Sequence, residues 1–125
     1  MQFVLISLGG AVGCLIRYFM VDALTYVSTA SRFPVGTFIV NVFGCVVIGF
    51  LGAISDTRGG FSPEARALVF TGLLGGFTTF SAFGYETFTL IRQDELFLAV
   101  YNVIGQVVLG LTSVWFGFKV GGLVQ

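Results

Sequence analysis

The residues of this chain best suited to chemistry lie together, in Thr71-Gly72-Leu73-Leu74-Gly75-Gly76-Phe77-Thr78-Thr79-Phe80-Ser81-Ala82-Phe83, inside the third of its apolar stretches. A Gly-Gly pair, three hydroxyl residues (Thr78, Thr79 and Ser81) and two phenylalanines three apart read as a helix that breaks at membrane depth. Lipid offers no partner for the backbone groups that a break releases. The break therefore survives only if it is buried in protein or lines a polar path. What the segment offers is hydroxyls, aromatic ring edges and bare peptide groups. The chain has no histidine, the commonest general base and metal ligand. No Cys pair or paired carboxylates form a catalytic set, so an enzyme is not expected. Cys14 and Cys45 both fall in apolar stretches and read as small packing residues.

Long apolar elements must position this segment. Of 125 residues, 56% are hydrophobic and 10% charged, against about 25% charged in an ordinary soluble domain. A soluble protein so composed could not cover its surface. At roughly 20 residues per span the chain holds about four membrane helices, in one domain over residues 1–125. The expected helices cover residues 3–27, 36–54, 64–91 (interrupted near 75–81) and 96–118. A polar loop is expected over residues 55–62, with Ser62 as a cap and Pro63 in the first helical turn. Arg92-Gln93-Asp94-Glu95 forms the next turn, and Lys119 closes the fourth helix. The amino-terminal run lacks the positive region of a signal peptide and reads as a retained span. Net charge is zero, so nothing suggests a nucleic-acid footprint.

The six Lys and Arg residues divide evenly. Arg58, Arg66 and Lys119 fall on the side of the termini, and Arg17, Arg32 and Arg92 on the other. Positive loop charge sets orientation, and an even split implies insertion both ways up. Two copies can then pair antiparallel about a two-fold axis in the membrane plane, which reproduces the inverted-repeat logic of transporters. Gly9 and Gly13, Gly72 and Gly76, and Gly117 and Gly121 form small-xxx-small pairs suited to close helix contact.

Three segments together resemble the Fluc-type (CrcB-like) fluoride channels. These are Gly9-Gly10-Ala11-Val12-Gly13-Cys14-Leu15-Ile16-Arg17 in helix 1, Gly36-Thr37-Phe38-Ile39-Val40-Asn41 opening helix 2, and Gly75-Gly76-Phe77-Thr78-Thr79-Phe80-Ser81-Ala82-Phe83 in helix 3. The resemblance implies an all-α membrane protein of four transmembrane helices with a break in helix 3. It further implies a dual-topology antiparallel homodimer with two fluoride pores and a central structural sodium ion. By the same resemblance, the setting is the bacterial inner membrane and the role is passive fluoride efflux that confers fluoride resistance.

On that resemblance, Phe80 and Phe83 line the fluoride path. They sit on one side of a helix, and their positive ring edges can hold an anion without trapping it. Asn41 is the lone strong amide of helix 2. It either donates to fluoride or serves as glue between helices. Thr79 and Ser81 repair the break or line the path. Gly75 and Thr78 map to the positions whose backbone carbonyls hold sodium in the family. Arg17 contributes to an electropositive vestibule or anchors an interface. Glu86, three residues beyond Phe83 and on the same helical side, is assigned to gating or hydrogen bonding. Helix 4 departs from the family's hydroxyl track: Asn102 and Gln106 are four apart, with Gly110 and Ser113 beyond, so amides replace hydroxyls along the stripe. Thr112 takes the place of Ser113 if the register shifts by one. Ala82 sits where the family commonly has Thr or Ser.

Two other classes fit a small four-span chain. A dual-topology proton-coupled cation or multidrug exporter needs a carboxylate embedded early in helix 1, and the first acid here is Asp22, beyond Arg17. A non-transporting assembly subunit would tolerate aliphatic residues at Asn41 and Phe80.

Overall fold

The computed structural model describes residues 1–28, 31–57 and 60–124. Arg58, one of the positive charges of the second loop, lies outside the described residues. Among the described residues four helices are long and apolar enough to cross a membrane: α1 (Gln2–Val27), α2 (Val35–Thr57), α3 (the third span, Pro63–Arg92) and α4 (Leu96–Leu123).

The start of α3 follows the sequence closely. Pro63 occupies the first turn, where its missing N–H costs nothing. The Ser62 hydroxyl accepts the Ala65 N–H at 3.2 Å. After one α-turn the backbone widens into a π-helix over Ala67–Leu74, then closes into a short turn, Gly75–Phe77. Thr78 (φ −90°, ψ 155°) and Thr79 (φ −149°, ψ 121°) are extended. The helix resumes at Phe80 and runs to Arg92. The interruption thus falls within the expected 75–81 window and is only two residues long. The π-helical stretch is a feature that the sequence pattern does not predict.

The helices pack as two pairs: α1 lies along the first half of α3, and α2 along α4. Glycine makes both contacts possible. A Cβ on Gly13 would collide with the Leu73 carbonyl, and one on Gly76 would sit 2.6 Å from the Gly10 carbonyl oxygen. In the other pair, a Cβ on Gly49 would strike the Val114 carbonyl, and one on Gly117 the Val46 carbonyl. Between helices in lipid, such close backbone approach replaces the hydrophobic effect as the source of attraction. The three small-xxx-small pairs therefore lie at helix contacts. The second half of α3 leaves large side chains uncovered. Phe80, Tyr85 and Phe88 on it are exposed, and a Cβ on Gly84 would meet nothing within 4 Å.

Some boundaries differ from expectation. Helix α2 continues through Thr57, so Ser55 is buried in the helix, not in a loop. Its Oγ accepts from Arg66 Nη1 at 3.0 Å. That guanidinium also lies 5.3 Å from the Phe70 ring centroid. Helix α4 does not stop at Phe118 or Lys119 but runs to Leu123. A lysine stem lies along an apolar surface while its ammonium reaches water, so the residue does not end a helix. The turn after α3 is real: Asp94 takes a positive φ of 60°, and the Glu95 N–H reaches back to the Leu90 carbonyl at 2.9 Å. Glu95 also ties this turn to the loop before α2 through a 2.7 Å ion pair with Arg32.

Candidate functional site

The break in α3 is held by one side chain. Asn41, in the middle of α2, pairs with both backbone groups of Thr79. Its Oδ1 accepts the Thr79 N–H at 2.9 Å, and its Nδ2 donates to the Thr79 carbonyl at 3.0 Å. The Thr79 hydroxyl caps the resumed helix by accepting the Ala82 N–H at 3.2 Å. The Thr78 hydroxyl turns back to the Leu74 carbonyl at 2.9 Å. Polar side chains inside the bundle thus pair backbone groups that lipid would leave unpaired.

These bonds have a second effect. In an uninterrupted helix the Thr79 N–H would bond to the Gly75 carbonyl, and the Ala82 N–H to the Thr78 carbonyl. Here side chains take both donors, Asn41 the first and Thr79 the second. The carbonyls of Gly75 and Thr78 are therefore among those at the break without their usual helical donors.

A groove of about 390 Å³ opens beside the break. Its lining includes Asn41, Gly75, Thr78, Thr79, Phe80, Phe83 and Gln106. The rings of Phe80 and Phe83 lie 5.4 Å apart between centroids and are inclined at 53°. The resumed helix Phe80–Arg92 begins here, so the positive end of its dipole, which favours anions, lies at the groove. The structure thus brings together the two phenylalanines, the helix-2 amide, the Thr79 hydroxyl residue and the two glycine–threonine carbonyl positions singled out in the sequence.

The other residues lie elsewhere. A wider groove of about 790 Å³ is lined by Arg17, Asp22, Thr37, Thr79, Ser81 and Glu86, among others. Thr79 borders both grooves. Arg17 is half-buried, with Nη2 3.7 Å from Cys14 Sγ. Glu86 Oε1 accepts the Thr37 hydroxyl at 2.6 Å, and Oε2 is buried without a protein partner. Glu86 therefore does not share a groove with Phe83. Three residues per step leave about 60° of rotation between neighbours on a helix, so Glu86 lies about 120° around from Phe80. Ser81 is in the wider groove, with its hydroxyl 3.2 Å from that of Thr79.

On α4 the amide stripe forms a connected ladder. Gln106 Oε1 accepts the second Asn41 N–H at 2.8 Å, and Gln106 Nε2 donates to Asn102 Oδ1 at 3.2 Å. Asn102, wholly buried, donates to the Thr87 hydroxyl at 2.9 Å, which donates to the Phe83 carbonyl at 2.7 Å. Thr87 is a member of the site that the sequence motifs miss; its place two turns beyond the break is the only signal for it. Ser113 and Thr112 line neither groove. Ser113 is half-buried, and the exposed Thr112 hydroxyl bonds within its own helix to the Val108 carbonyl at 2.7 Å. Among the described residues no group of three or more His, Cys, Asp or Glu side chains could hold a metal ion.

Fold and site together define a small multi-pass membrane protein whose interrupted third span opens on an aromatic and amide-lined groove. The chain belongs to the CrcB-like family, whose description, "CrcB-like protein, Camphor Resistance (CrcB)", matches residues 4–118. It is 44% identical over 118 residues to the "Fluoride-specific ion channel FluC" of Methylobacillus flagellatus, covering 94% of this chain and 92% of that one. Its identity to the protein of the same name from Solibacter usitatus is 42% over 117 residues, covering 94% and 95% of the two chains. With that of Nitratidesulfovibrio vulgaris it is 40% over 123 residues, covering 98% of each. The four apolar spans and the bacterial relatives make this a multi-pass protein of the bacterial inner membrane.

Proposed function

We propose that the chain is a fluoride-selective channel giving passive efflux, and that it works as an antiparallel homodimer with two pores and a central sodium ion. The observation that carries this reading is the groove at the break, where an amide, a helix N-terminus and a pair of phenylalanine rings converge without a single full charge. Fluoride is small and strongly hydrated, and a bare charge in a low dielectric is very costly. A path for it must replace water with donors. A fixed cation there would hold the ion; ring edges, amide N–H groups and a helix dipole attract it weakly enough to release it. The names of the relatives add the identity of the ion. Purified protein in liposomes should release fluoride but not chloride when a potassium carrier balances the charge. Equal chloride release, or efflux that requires a proton gradient, would overturn the proposal.

The dimer is supported by the large apolar side chains that the second half of α3 leaves uncovered: Phe80 at the groove, and Tyr85 and Phe88 further along the same helix. The even division of positive charge supports two orientations. Sodium fits the site on chemical grounds. It is a hard cation suited to oxygen donors, and Gly75 and Thr78 line one groove with carbonyls whose helical donors are diverted. Two copies would bring four such oxygens to the axis. When bound, sodium would offset the negative ends of those peptide groups and tie the copies together. A ligand that binds only the dimer strengthens it by linkage, by a factor of about a hundred at a hundred times its dissociation constant. Replacing sodium with choline should therefore raise the protein concentration at which dimers dissociate, as read by subunit exchange in detergent. Exchange that is indifferent to sodium would remove the ion from the proposal.

A further inference from the structure

We propose that Gln106 lowers the affinity of the pore for its ion, because its side-chain oxygen is a built-in competitor that holds the Asn41 donor an anion in the groove would take. The inference rests on the fluoride reading above and concerns a residue at which this chain departs from a hydroxyl track.

The direction of every bond in the ladder follows from one fixed group. The Thr79 backbone N–H can only donate, so the Asn41 atom facing it at 2.9 Å is its oxygen. The other Asn41 atom is then the NH2 group, which must find acceptors in the Thr79 carbonyl and in Gln106, whose facing atom is accordingly Oε1. Gln106 Nε2 is left to donate to Asn102 Oδ1, and Asn102 Nδ2 to the Thr87 hydroxyl. A primary amide has two N–H donors, and both of those on Asn41 are engaged.

Asn41 and Gln106 both line the groove that holds Phe80 and Phe83. An anion there gains an Asn41 donor only by displacing one acceptor. The Thr79 carbonyl is a poor candidate, since it belongs to backbone fixed at the N-cap of the resumed helix and cannot move aside without the cap. Gln106 is a flexible side chain on another helix, held by a 3.2 Å bond to Asn102 at its far end. It can swing aside and return. A serine or threonine at this place, with a much shorter side chain, would reach Asn41 less readily. The glutamine therefore converts a standing donor into one that each ion must win.

The test is the unitary current of single channels in planar bilayers, measured against fluoride concentration. Unitary current counts one pore at a time, so a loss of folded copies does not alter it. Methionine has the length of glutamine and only a weakly accepting sulfur. In Gln106→Met the fluoride concentration giving half-maximal current should fall by about fivefold, the size of one ordinary neutral hydrogen bond. If the methionine variant does not fold, Gln106→Leu serves, with the same fall expected. An unchanged or raised half-maximal concentration overturns the proposal. Absence of fluoride current in the unsubstituted protein would instead sink the channel reading itself.

Discussion

Replacing Asn41 with leucine should abolish fluoride efflux and cost the fold about 1–3 kcal/mol. The stability loss comes from the break. Leucine leaves the Thr79 N–H without the partner it has at 2.9 Å, and an unpaired buried polar group costs about 1–3 kcal/mol. The Thr79 carbonyl loses its 3.0 Å bond but, as the N-cap carbonyl, keeps the first bond of the resumed helix. Gln106 Oε1 loses its donor too. Thermal unfolding in detergent should show the loss. Asn41→Asp separates the contributions further. A carboxylate still accepts the Thr79 N–H but offers nothing to the Thr79 carbonyl or to Gln106, and it sets a negative charge against both oxygens. It should also be silent in the efflux assay. A leucine variant that unfolds at the wild-type temperature would show that the break is held by something other than Asn41. If its unitary fluoride current were normal in fewer channels, Asn41 would be glue alone.

Much of this arrangement is legible in the amino-acid sequence. Gly75-Gly76 followed by threonines marks a break because such a sequence weakens a helix and supplies hydroxyls to repair it, and the Thr78 and Thr79 hydroxyls do both make local bonds. The glycine pairs are legible as contacts because small residues four apart form a flat strip whatever their partner. The π-helical stretch is not. Ala67–Leu74 is plain apolar sequence that reads as α-helix by composition. What distinguishes it is its setting against α1, where a Cβ on Gly72 would stand 2.9 Å from the Ile6 carbonyl oxygen, and no local pattern encodes that. The ladder is half legible. Spacing of four puts Asn102 and Gln106 on one face, but which amide meets Asn41 depends on the register between α2 and α4. The contacts of Gly49 and Gly117 fix that register. Asn41, which by residue type suits either donor or glue, is engaged as glue in this conformation, and its donor role then depends on exchange.

Phe80→Ile should leave the protomer folded and cut fluoride efflux by about a hundredfold. Phe80 is 83% exposed, so its truncation removes little buried area, and surface changes of this kind usually shift stability by no more than about 0.5 kcal/mol. Its ring contributes to the groove instead, set 5.4 Å from that of Phe83. Isoleucine keeps the bulk and the hydrophobicity but has no quadrupole, so the positive edge that would face an anion disappears. The ion loses stabilisation where dehydration is costliest, and about 2.7 kcal/mol there corresponds to a hundredfold in rate. Phe116→Ile is the matched control: Phe116 is equally apolar, 54% exposed on α4 and absent from both grooves, and its replacement should leave efflux unchanged. The pairing matters because an effect through bulk membrane partitioning would strike both variants. If Phe80→Ile conducts like the wild type, the ring edges play no part in holding the ion. The anion path would then have to run through the wider groove, past Arg17 and Glu86.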